Sequence, residues 1–194
     1  MKLYARALPL LAALALGLGG CSPQDASDKN APTAGAAAAQ PYEAAATQGS
    51  GFTAGAMMSA NTVYVLFDPQ CPHCGRLWQA SLPLHGKVKF VWIPVAFNFA
   101  RSGPQGAALL AAANPTALMN EHEKSLLAGG GGISASASVP PALEQAIKKN
   151  TQLLTNLGAD SVPYIVARNL RSGQVVTNAG ALETPALAEF LGLN

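Results

Sequence analysis

Thr62-Val63-Tyr64-Val65-Leu66-Phe67-Asp68-Pro69-Gln70-Cys71-Pro72-His73-Cys74-Gly75-Arg76-Leu77-Trp78 decides the fold. Thr62 to Phe67 is an unbroken run of β-branched, aromatic and aliphatic residues, the pattern of a strand buried on both faces. Asp68-Pro69-Gln70 turns the chain, and Cys71-Pro72-His73-Cys74 opens a short helical pattern that stops near Pro83. A cysteine at the amino end of a helix faces unpaired N–H groups and the positive end of the dipole, which favour an anion. Cys71 is therefore expected to have a lowered pKa and to act as the nucleophilic thiolate. Cys74, three residues on, lies within reach of Cys71 for a small disulfide ring and is expected to be the buried, resolving thiol. Pro72 fixes the turn without losing a usable N–H, and His73 between the sulfurs can add a positive charge or a donor. Stabilising the thiolate favours the reduced form and makes the disulfide a better oxidant, about 30 mV for each 1.4 kcal/mol.

Other uses of a C-x-x-C are weaker here. A zinc site needs two more ligands, and the chain has no second cysteine pair while His85 and His122 stand alone. An inert bridge closing so small a loop would restrain the unfolded chain little. A copper-binding thiol adapter remains the alternative, since soft thiolates suit that metal. The reading adopted is a dithiol redox pair, with Cys71–Cys74 itself as the redox-active centre, no metal and no further cofactor.

Outward from this segment, Lys87 to Val95 reads as a second strand. Helical patterns follow at Gln105 to Ala113, Pro115 to Leu127 and Pro140 to Leu157, broken by the Gly129 to Gly132 loop. Tyr164 to Ala167 and Gln174 to Thr177 read as a hairpin about Arg171-Ser172-Gly173, and a last helix spans Thr184 to Leu191 with Thr184 as N-cap and Pro185 at the first helical position. The order is α/β with a helical insertion between a βαβ and a ββα half. Trp78 and Trp92 are expected in the core, Met57 and Met58 in a lead-in packed on the domain, and His85 and Glu121-His122-Glu123-Lys124 on solvated surface.

The amino terminus reads as an address. Lys2 and Arg6 precede an apolar run from Ala7 to Leu18, which is short for a membrane span. Leu18-Gly19-Gly20-Cys21 resembles the lipobox of bacterial lipoproteins, in which the cysteine is acylated and becomes the first residue. This implies a signal peptide at residues 1–20, a lipidated Cys21 and a domain held at the periplasmic face of the cell envelope, with the outer membrane favoured by Ser22. Residues 21–50, rich in Ala, Gly, Ser, Thr, Pro and Gln, read as a flexible tether, leaving residues 51–194 as the catalytic domain. A chain beginning at Cys21 keeps 10 of the 12 basic residues against 10 acidic ones, which argues against nucleic-acid binding. An exported chain meets an oxidising environment, in which a cysteine pair cycles or stays bridged.

The segment from Val65 to Trp78 resembles the active-site run of the DsbG/DsbC family of periplasmic disulfide-interchange proteins, and the likeness extends through Leu157-Gly158-Ala159-Asp160-Ser161-Val162-Pro163-Tyr164 to about residue 193. It implies a thioredoxin-like fold and a cis Pro163 facing the cysteines, with the backbone of Val162 binding the substrate peptide. It also implies exported protein thiols and disulfides as substrates, and a membrane partner that recharges the pair. The Pro72-His73 pair and Val162 are DsbA-like. Val65 stands where thioredoxin and DsbA place a buried acid, so no buried proton relay is expected, and Asp68 reads as a turn residue. With signal and tether where the family has its dimerisation domain, a monomer is expected.

Overall fold

The computed structural model describes residues 34–193, with side chains from residue 40 onward. The expected signal peptide at residues 1–20 and the expected lipidation of Cys21 fall outside the described residues. A five-stranded mixed sheet is built from β1 (Phe52–Gly55), β2 (Thr62–Phe67), β3 (Lys89–Pro94), β4 (Tyr164–Arg168) and β5 (Val175–Ala179), in the order β1-β3-β2-β4-β5. β2 and β3 are parallel, with Val65 opposite Trp92, and every other pairing is antiparallel. The parallel pair is linked by α2 (Pro72–Ser81) and a 3-10 turn at Leu82–Leu84. Between β3 and β4 lies the helical insertion, made of α3 (Phe99–Ala111), α4 (Pro115–Leu127) and α5 (Pro141–Asn156), and α6 (Thr184–Leu191) closes the fold.

Central β2 is apolar throughout because both of its faces are covered. Val63, Val65 and Phe67 enter a core with Trp78, Phe90 and Trp92, whereas Leu66 enters a second core with Ile93, Val95, Leu153 and Leu154. In the first, Phe67 and Trp78 each meet Trp92 edge-on, at ring-centroid distances of 5.5 and 5.1 Å. Such aromatic pairs add about 0.5–1.5 kcal/mol beyond the area they bury. These contacts sit beneath the carboxyl end of β2, from which the Cys71 loop springs. Asn150, fully buried on α5, ties the second core to the chain before β1. Its side-chain amide donates to the carbonyls of Ser50 and Pro94 at 2.8 and 2.9 Å and accepts from Ser50 N–H at 2.9 Å.

Several expectations are corrected. The tether reading fails over its second half, because Ala34–Gln48 forms a helix, α1, carrying a buried Ala45. Tyr42 packs edge-on against Tyr64 of β2 at 5.2 Å, and the Arg168 guanidinium lies over the Tyr42 ring, 5.2 Å from its centroid. Met57 and Met58 do not pack on the domain; both are exposed. α3 begins at Phe99, ahead of Pro104, which the helix carries in its interior. The N-cap position of α6 falls on Glu183, while Thr184 turns its hydroxyl to the Ala80 carbonyl at 2.8 Å and so ties α6 to α2. His85 is half-buried, its ring edge-on to Trp78 at 5.5 Å. α6 ends at Gly192, whose φ of 73° is a left-handed conformation that a side chain would disfavour.

Candidate active site

The site forms where β2 hands over to α2. Asp68, the first residue past the strand, is buried and fully engaged: it accepts from Gln70 N–H at 2.8 Å, Ser102 Oγ at 2.6 Å and Phe97 N–H at 3.0 Å. It acts as the expected turn residue and binds the loop to α3. Cys71 N–H then donates to the Asp68 carbonyl at 2.9 Å, which sets Cys71 at the N-cap position of α2 in extended geometry, with Pro72 in the first turn. Cys74 N–H returns to the Cys71 carbonyl at 3.0 Å, which brings the second cysteine under the first.

The two thiols are free and differ sharply in environment. Cys71 is half-buried and Cys74 fully buried. The Cys71 pKa falls from 9.0 to about 6, chiefly through the hydrogen bond from the Cys74 thiol. Partial burial opposes the fall, and the backbone N–H groups of Cys74 and His73 reinforce it. Burial, and then the neighbouring Cys71, push Cys74 well above the usual thiol range. One sulfur is thus ready to attack while the other holds its proton. The positive charge expected of His73 is a minor contributor. The Arg76 guanidinium donates to Nδ1 of the exposed His73 ring at 2.6 Å, which places a second basic side chain beside His73.

The Val162–Pro163 peptide bond is cis, and the Val162 carbonyl oxygen lies 3.6 Å from Cys71 Sγ. Cys71 and Val162, 91 positions apart in the chain, thus share one surface. Beside them opens a cleft of about 470 Å³, lined by Cys71, Val162, Phe97, Arg101, Ser102 and Asp160 among others, with Phe97 57% exposed. Peptide backbone entering it would meet the nucleophilic sulfur and the Val162 carbonyl together.

Sequence reasoning missed the floor of the site. α4 is not the solvated stretch expected around residue 122: His122 and Glu123 are 0% and 1% exposed. His122 Nε2 donates to the Pro69 carbonyl at 2.7 Å, and its Nδ1 accepts from Ile133 N–H at 3.2 Å, which fixes the neutral ring between the cysteine loop and the segment after the glycine run. Gln70 and Gln105 both donate to the Gly131 carbonyl, at 2.9 and 2.8 Å, and strengthen the same junction. Glu123 lies against Gly75 of α2, where a β-carbon would occupy the space of its carboxylate. Burial, followed by the charge of Cys71, pushes its pKa from 4.5 to about 8. The signal was present in the spacing: Met119, His122, Glu123 and Leu126 fall on one face of a helix, with two titratable residues inside an otherwise apolar stripe.

No family model matches the chain. It is 32% identical over 132 residues to the thiol:disulfide interchange protein DsbG of Pseudomonas aeruginosa, covering 67% of this chain and 50% of that protein. DsbG of Escherichia coli is 32% identical over 107 residues, which are 53% of this chain and 42% of that protein. The chain therefore spans about half the length of the curated relatives it matches. Among solved structures, ScsC of Proteus mirabilis superposes with a TM-score of 0.62 at 15% identity, over 80% of this chain and 76% of that one. That likeness confirms the thioredoxin-like fold with its helical insertion. Over its thioredoxin-fold region the chain is similar to the DsbG thiol:disulfide interchange proteins.

Proposed function

We propose that the chain is a periplasmic thiol:disulfide oxidoreductase that exchanges disulfides with exported proteins through Cys71 and Cys74, running preferentially as an oxidant. The observation carrying this reading is the asymmetric pair, a half-exposed Cys71 with a pKa near 6 above a buried Cys74 held protonated. In the oxidising direction a substrate thiolate attacks Cys71 Sγ of the bridged pair, the Cys71–Cys74 bond breaks, and Cys74 takes up a proton. A second substrate thiolate then attacks the substrate sulfur of the mixed disulfide. Cys71 leaves with its electron pair, and its low pKa makes it a good leaving group. The same residues run in reverse as a reductase or isomerase. The pair serves as its own redox centre, recharged by a membrane partner, and Cys21 carries the lipid that anchors the chain. Val162 and Pro163 form the peptide-binding edge, and Pro72 and His73 shape the turn that holds the sulfurs.

The test is oxidation of a reduced, unfolded protein by the oxidised full chain. Cys71→Ser should abolish activity. Cys74→Ser, given a disulfide-bonded protein instead, should accumulate a mixed disulfide at Cys71, because the Cys71 thiolate opens the substrate bridge and the resolving thiol is gone. Trapping at Cys74 in a Cys71→Ser variant, with none at Cys71, would reverse the assignment.

A further inference from the structure

Glu123 is a buried acid with no stabilising partner. Neither carboxylate oxygen has a hydrogen-bond partner, and the side chain is 1% exposed. No Lys or Arg among the described residues is buried, and the one ion pair there, Lys148 with Glu144, is on the surface of α5. Leaving such a group unsatisfied destabilises the fold, a cost that an apolar side chain of similar size would avoid. Its surroundings give it a chemical use. α2 faces it with Gly75, the residue after Cys74, and the absent β-carbon leaves the space that the carboxylate occupies. The titratable groups facing it from α2 are Cys71, whose charge raises the Glu123 pKa, and Cys74, which Glu123 raises in turn. On α4 itself, His122 is turned away to Pro69 and Ile133, and Glu121 and Lys124 are exposed.

We propose that Glu123 is the proton carrier for Cys74, a role that rests on the exchange reaction proposed above. As Cys74 attacks Cys71 of the mixed disulfide, the Glu123 carboxylate takes the Cys74 thiol proton. The sulfur electron pair forms the Cys71–Cys74 bond, the bond from Cys71 to the substrate sulfur breaks, and the substrate leaves as a thiolate. When a substrate thiolate opens the bridge, the protonated carboxyl returns that proton to the departing Cys74 sulfur. The acid thus comes from the helical insertion rather than from β2, where Val65 leaves no group to serve. A carboxyl with a pKa close to the working pH is matched to proton transfer in both directions.

The experiment follows the reduced full chain reacting with 5,5′-dithiobis(2-nitrobenzoate). Attack by Cys71 releases one thionitrobenzoate, and resolution by Cys74 releases a second, so the two steps are read separately. Glu123→Gln should leave the first phase within about twofold, slow the second by about tenfold or more near neutral pH, and remove the inflection that a titrating carboxyl gives to its pH profile. Glu123→Asp, which keeps an acid, should retain an inflection, an outcome that a purely structural role does not predict. A second phase in Glu123→Gln with the rate and pH profile of the wild type would overturn the proposal alone. Absence of any second release from the wild type would overturn the exchange reading and this proposal with it.

Discussion

Cys71, Cys74 and Glu123 are electrostatically linked: the Cys74 thiol lowers Cys71, the Cys71 charge raises Glu123, and both Cys71 and Glu123 raise Cys74. Burial alone would raise all three pKa values, yet Cys71 falls because the Cys74 thiol and two backbone N–H groups point at it. Absorbance of the thiolate near 240 nm should therefore titrate with a midpoint near pH 6 in the wild type. In Cys74→Ala that midpoint should rise, since the strongest donor is removed. Glu123 makes a separate prediction for stability. Its folded pKa, about 8, lies above its ordinary 4.5, so the folded state holds the proton more tightly between those values, and the wild type loses stability as pH rises from about 4.5 to about 8. Cys71 works in the opposite sense between about 6 and 9, so the comparison is made between reduced variants. Glu123→Gln should match the wild type near pH 4.5 and exceed it by about 1–3 kcal/mol at pH 8, measured by denaturant unfolding. Equal stability across that range would mean that Glu123 is not a strained acid.

At the scale of elements, the contact of α2 with α4 organises the site. Trp78 on α2 donates from Nε1 to Asn120 Oδ1 on α4 at 2.8 Å, and Gly75 receives Glu123 one turn away. In an open helix Gly→Ala gains about 1 kcal/mol in propensity, but at residue 75 the new β-carbon meets the buried carboxylate. Gly75→Ala should thus be more favourable by about 1 kcal/mol or more in a Glu123→Ala background than in the wild type, and additive effects would dissolve the notch. The strand, turn and C-x-x-C were legible because their determinants are contiguous in sequence. β2 is recognisable from its own side chains, and the Cys71–Cys74 geometry follows from three residues of helix. α4 was legible as a helix from Pro115 to Leu127, and the structure adds its cap, the Asn114 side chain accepting from Ala117 N–H at 3.1 Å. Its burial was not, since four charged or titratable residues in a row suggest solvent and only the tertiary fold turns two of them inward. Thr184 misled similarly, because its hydroxyl found a better acceptor on α2 than the cap of its own helix.

For the whole molecule, the described fold begins earlier than composition suggests. The alanines of α1 were read as tether because they offer no wide apolar stripe, but small side chains permit close approach, and Ala45 is 1% exposed. Ala45→Arg should lower stability by about 2 kcal/mol, as expected for a core position, whereas a true tether would tolerate it unchanged. The charge balance, the cleft beside Cys71 and the exposed Phe97 all suit a chain that meets unfolded polypeptide rather than a polyanion. What joins these scales is the poise of the dithiol, since a stabilised Cys71 thiolate favours the reduced form and makes the bridge oxidising. The reduction potential of Cys71/Cys74, obtained by equilibrating the full chain with glutathione buffers, tests this most directly. The account predicts a value well above about −270 mV, the thioredoxin range, toward the −120 mV or so of a strong disulfide donor. A value at or below the thioredoxin range would contradict it.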